Sequence, residues 1–81
     1  MDREKLLVIT MEECGELVRA CSKILRHGTE KDPKYMQNLI EELADVIAMT
    51  GLVIDEFEVD DVILAKAIQR RVLKTANPEY L

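Results

Sequence analysis

Between Leu43 and Ile54 the chain carries only two polar side chains, Asp45 and Thr50, and every other residue there is apolar or Gly51. If this stretch is helical, apolar groups lie nearly all round it, and such a helix is buried on several sides. An 81-residue chain has few other helices with which to cover it. The run therefore calls for a second subunit as well as for the chain's own packing. The expectation from this length is one domain over residues 1–81, with a core that is marginal unless a metal, a disulfide or a partner adds to it.

The other apolar residues point to the same class. There is no Trp, one Phe and two Tyr in a chain that is 48% hydrophobic, so Leu, Ile, Val, Ala and Met supply the bulk. That is the palette of a helix bundle, and the fold expected is all-α. The formal charge of −5 argues against nonspecific binding to a nucleic-acid polymer, which draws on positive surface to release counterions from phosphates. No apolar run approaches the length of a membrane span, and no signal-peptide core follows Met1-Asp2-Arg3-Glu4-Lys5, so a cytoplasmic protein without membrane contact is expected.

Helix boundaries are marked by particular residues. The first helix should run from Asp2 or Arg3 to about Arg26, with Gly28 free to take a left-handed terminal conformation and Arg26 and His27 placed to suit the helix dipole. Asp32 then serves as N-cap and Pro33 as the first residue of a second helix reaching Asp55 or Glu56. Phe57 and Val59 belong to a short connection. A third helix starts near Asp60 and Asp61, runs to about Thr75, and is stopped by Asn77-Pro78. Cys14 and Cys21 are seven residues apart, about 10 Å along a helix. That is too far for an intrachain disulfide, and they are expected as reduced core residues. His27 is the one histidine, which argues against zinc.

Two acid pairs stand out against this frame. Glu13 and Glu16 lie on the first helix and Glu42 and Asp45 on the second, each pair spaced i,i+3 and so about one turn apart on one face. In an antiparallel hairpin, facing residues have a constant sum of numbers. Glu13 with Asp45 and Glu16 with Glu42 give the same sum and put the bend at residue 29, within His27-Gly28-Thr29-Glu30-Lys31-Asp32-Pro33. All four acids are expected to meet. A helical projection sets Glu13 inside the apolar arc of Leu6, Ala20 and Ile24, Glu16 at its margin, and Glu42 and Asp45 beside Met49, while Glu12, Arg19, Lys23 and Arg26 project outward. Like charges about 4 Å apart repel by roughly 4 kcal/mol per pair at an effective dielectric near 20. Four inward carboxylates need a cation, and an all-oxygen donor set suits Mg²⁺ or Mn²⁺.

The pattern Glu12-Glu13-x-x-Glu16 followed by Glu42-x-x-Asp45 resembles the signature of the MazG-type, all-α nucleoside triphosphate pyrophosphohydrolases, and the resemblance covers nearly the whole chain. It implies Mg²⁺-dependent cleavage of an NTP or dNTP between the α- and β-phosphates, giving a nucleoside monophosphate and pyrophosphate. The family's metal-ligand positions fall on Glu13, Glu16, Glu42 and Asp45, and Glu12 matches an extra acid suited to orienting or deprotonating water, which makes Glu12 and Glu13 the catalytic candidates. Lys66 matches a lysine of the family's last helix, whereas Arg70 stands where related sequences often carry Asn. Lys66, Arg70 and Lys74 form an i,i+4,i+8 stripe with Arg71 beside it. Lys66, Arg70 and Arg71 are the substrate-binding candidates, while Lys74 reads as a solvated helix end. Tyr35, Phe57 and Tyr80 read as packing residues.

The architecture expected is a helical hairpin plus a third helix, with a four-helix-bundle core completed by homodimerisation and room for a tetramer. Two other functions compete with NTP hydrolysis. One is phosphoribosyl-ATP pyrophosphohydrolase activity on a similar carboxylate frame. The other is a noncatalytic helical oligomerisation module whose acids serve as a metal-stabilised core.

Overall fold

The structure is a computed structural model that describes residues 1–79, so Tyr80 lies outside the described residues. The described residues form three helices: α1 (Arg3–His27), α2 (Pro33–Glu56) and α3 (Asp61–Thr75). No strand occurs among the described residues, and the fold is all-α as the composition implied.

Each helix starts on an aspartate. Asp2 accepts from the Glu4 and Lys5 N–H groups, Asp32 from Lys34 N–H, and Asp60 from Val62 and Ile63 N–H, satisfying backbone donors that a helix start leaves without partners. α1 ends where Gly28 turns the chain at φ 75°, ψ −172°. This is not the left-handed helical conformation expected from the sequence but an extended positive-φ region open essentially to glycine alone. α2 closes differently. Val59 N–H donates to Ile54 O and Glu58 N–H to Asp55 O, with Glu58 at φ 51°. This is a Schellman arrangement with a glutamate in the left-handed position that glycine usually fills.

α1 and α2 pack as an antiparallel hairpin, fastened at both ends. At the open end Arg3 pairs with the Glu56 carboxylate at 3.2 Å, donates to the Glu56 carbonyl at 3.2 Å, and lies 4.8 Å from the Phe57 ring centroid. At the bend His27 stacks on Tyr35, with centroids 4.5 Å apart and an 11° interplanar angle. Within the apolar run, Thr50 returns its hydroxyl to Val46 O on its own helix at 2.8 Å, so its polarity needs no partner elsewhere.

The third helix stands away from this pair. No Cα of α3 lies within 8 Å of α1 or α2. Among the described residues only Leu6, 2% exposed, and Ala20, 1% exposed, are buried, while Leu25 is 88% exposed and Ile47, Ile63 and Val18 are each 69% exposed. Cys14 and Cys21 are likewise exposed free thiols rather than core residues, because one facing helix covers only a stripe of α1. The radius of gyration is 15.3 Å, against about 12 Å for a compact chain of this length. The accessible surface of 6656 Å² exceeds by roughly 1,700 Å² that of a compact monomer of this mass. A standard interface covers only about 800 Å² per partner.

The exposed apolar faces are the ground for expecting an association that hides them. Sedimentation at micromolar concentration is expected to give a dimer or a tetramer. A cooperative, fully folded monomer under those conditions would contradict the four-helix arrangement.

Candidate metal centre

The register of the hairpin decides which acids meet. Donor oxygens of Glu13 on α1 and of Glu42 and Asp45 on α2 lie within 4.8 Å of one another, Glu13 and Glu42 half-buried and Asp45 exposed. One Glu42 oxygen, Oε2, is buried with no hydrogen-bond partner. An orphaned, desolvated carboxylate oxygen is costly, and no cationic side chain forms an ion pair with any of these three acids among the described residues. An all-oxygen, all-anionic cluster of this span fits a hard divalent cation.

The fourth acid behaves otherwise. The four carboxylates do not form a single group: Glu16 lies outside it, its Oε1 3.6 Å from Arg19 Nη1, with half of its side chain exposed. The helical projection had put Glu16 at the margin of the inner arc, and a cation one turn further along α1 draws it toward solvent. Its charge still acts on Glu13. Glu12, the residue before Glu13, is exposed.

Glu13 carries the electrostatic consequence of the geometry. Half-burial raises its carboxyl above the usual range first, followed by the charge of Asp45 and a hydrogen bond shared with it, and then by the charges of Glu42 and Glu16. Every cause disfavours ionisation, and a bound cation would reverse the balance.

The cations of α3 are not brought to this cluster within one chain. Lys66, Arg70 and Arg71 ride on a helix that approaches neither arm of the hairpin. The sequence also concealed one association. Lys23 and Arg26, read as solvated, line a cavity at the bend together with His27, Lys34, Tyr35 and Asn38. The constant residue sum that pairs Glu13 with Asp45 also sets Lys23 opposite Tyr35, and this was the available signal.

Fold and site together define an all-α hairpin protein whose clustered carboxylates have the composition and spacing to hold a divalent cation. The chain belongs to the MazG nucleotide pyrophosphohydrolase domain family, whose model matches residues 1–74. No curated protein and no solved structure matches it significantly. No described helix is long and apolar enough to cross a membrane.

A pH dependence follows from Glu13. Because its folded-state pKa is raised, the unfolded chain releases this proton first as pH increases. Glu13 therefore lowers the stability of the metal-free protein progressively between the ordinary glutamate range and its own raised value. In chelator, melting temperature followed against pH should fall for the wild type relative to Glu13→Gln across that interval. Parallel curves for the two proteins would remove the electrostatic strain from Glu13.

Proposed function

We propose that this protein is a Mg²⁺-dependent nucleotide pyrophosphohydrolase, with Mn²⁺ as an acceptable substitute, that cleaves an NTP or dNTP between the α- and β-phosphates. The products are a nucleoside monophosphate and pyrophosphate. The observation that carries this reading is the buried Glu42 oxygen without a partner, set within 4.8 Å of donor oxygens from Glu13 and Asp45. Membership in the MazG nucleotide pyrophosphohydrolase domain family supports the reaction class.

Glu13, Glu42 and Asp45 are the residues that would hold the ion, with Glu16 able to join by releasing Arg19. When bound, the ion neutralises phosphoryl oxygens and makes water acidic enough to supply hydroxide near neutral pH. The chain's own residues do the positioning. Glu12, next to Glu13 in sequence and exposed, would accept a proton from an attacking water and orient it, a task that needs no histidine or covalent nucleophile. Lys66, Arg70 and Arg71 on α3 supply positive charge for the phosphates. Since α3 stands clear of its own hairpin, a homodimer offers the route by which these cations reach a carboxylate cluster. The same association covers the apolar faces of α2.

Two expectations separate the parts of this mechanism. Glu42→Gln and Asp45→Asn should each lower metal-dependent pyrophosphate release by more than about 100-fold, since even groups one shell beyond a metal commonly account for 10- to 100-fold. A screen of canonical, deoxy and modified nucleotides with Mg²⁺ measures this, and wild-type turnover in both variants would place the ion elsewhere. Lys66→Ala and Arg71→Ala should weaken binding of a nonhydrolysable nucleotide by about tenfold while metal affinity and oligomeric state stay unchanged, because a charge-assisted contact is worth about 1.5–3 kcal/mol. Lys74→Ala should change little. Unaltered nucleotide affinity in both α3 variants would return the stripe to solvent.

A further inference from the structure

The bend of the hairpin carries an open cavity of about 440 Å³ lined by Lys23, Arg26 and His27 from the end of α1 and by Lys34, Tyr35 and Asn38 from the start of α2. That volume suits a small ligand. Its lining contains three permanent cations and no carboxylate, in a chain whose net charge is −5. One acid engages its lining, Asp32, whose Oδ2 lies 3.5 Å from Lys34 Nζ while its other oxygen caps α2.

Helix dipoles account for only part of this gathering. Cations at the end of α1 are favoured by the carbonyls there, and Arg26 Nε makes one long bond, 3.4 Å, to Ser22 O. Lys34 is the exception, because it lies in the first turn of α2, where the dipole disfavours positive charge and no acidic residue occurs. Its ammonium sits 5.1 Å from the Tyr35 ring centroid, and Tyr35 in turn stacks on His27. This stack forms an aromatic wall against which Lys34 is kept near the cavity.

The cavity is also electrostatically separate from the carboxylates. Lys23 is ten residues beyond Glu13 on α1 and Lys34 eight residues before Glu42 on α2, about 15 Å and 12 Å along the helices. Both separations exceed the Debye length of about 8 Å at physiological ionic strength. Lys34 pairs with Asp32, but none of the cations at the bend forms an ion pair with Glu13, Glu42 or Asp45.

We propose that this cavity binds a polyphosphate group, with Lys23, Arg26 and Lys34 contacting its oxygens and His27 donating a ring N–H, and that it does so without a divalent cation. A diphosphate chain has the charge density and several acceptor oxygens needed to engage three cations together. Two sources share this chemistry, a free pyrophosphate ion and the phosphate tail of a nucleotide.

The test uses the full chain in chelator at low ionic strength. Inorganic pyrophosphate is titrated while backbone amide shifts are followed by NMR. Saturable changes centred on residues 23–38 are expected, with affinity reduced about tenfold or more in Lys23→Ala/Lys34→Ala and in the milder Lys23→Gln/Lys34→Gln pair, and unchanged in Asp45→Asn. A second titration with an α,β-methylene nucleoside triphosphate distinguishes the sources. Displacement by pyrophosphate from the same amides assigns the nucleotide tail, whereas a response to pyrophosphate alone assigns the free ion, and both support the site. Absence of saturable binding, shifts centred on α3, or wild-type affinity in both double variants would overturn it. As the readout requires neither metal nor turnover, its failure is distinguishable from failure of the hydrolase reading.

Discussion

The antiparallel register of α1 against α2 is the constraint on which the rest depends. Arg3 holds Glu56 and Phe57 at one end, and His27 stacks on Tyr35 at the other. With both ends located, Glu13 has to lie against Glu42 and Asp45. A slip of one turn would carry Glu13 about 5.4 Å along α2 and disperse the cluster. The end contacts are exposed and individually weak, so the register also needs the apolar contacts that bury Leu6 and Ala20 between the helices.

Those two buried residues are a small core for so many Leu, Ile and Val side chains. A sheet folds back on itself or packs against another layer, but a two-helix hairpin has one internal seam and leaves the outer arcs of both helices in water. α3 does not close the gap, since it leaves the Schellman turn at Glu58 in a direction that keeps it clear of both helices. Its exposed apolar residues, Val62, Ile63, Ile68, Val72 and Leu73, have the same need as the open faces of α1 and α2. In the homodimer we propose, one association would answer both needs and also supply α3 cations to a hairpin.

Charge is distributed along the hairpin with comparable economy. Carboxylates occupy the middle of the α1–α2 seam, and cations gather at the bend. Burial first, and then the charges of Asp45, Glu42 and Glu16, raise the pKa of Glu13, and one buried Glu42 oxygen is left without a hydrogen-bond partner. Arg19 does not relieve the cluster, since its partner is Glu16 on the outer margin. The arrangement favours a ligand of opposite sign at each place.

The local sequence determined the helices themselves. Asp2, Asp32 with Pro33, and Asp60 mark their starts, and Gly28 marks the end of α1, because capping and positive-φ glycine depend on a few neighbouring atoms. The i,i+3 spacing of the acids and the constant sum across the bend made the approach of Glu13 to Asp45 and Glu42 legible as well, since an antiparallel hairpin leaves one freedom, the register, and the short bend removes most of it. Three features were decided only by the tertiary structure. The Schellman turn at Glu58 has no glycine to announce it. Glu16 left the group of acids because a rotamer choice between an inner cluster and Arg19 is invisible in residue spacing. The exposure of Cys14, Cys21 and Leu25 depends on which arc of α1 meets α2, and periodicity alone cannot fix that where the apolar arc is broader than the helix that packs upon it.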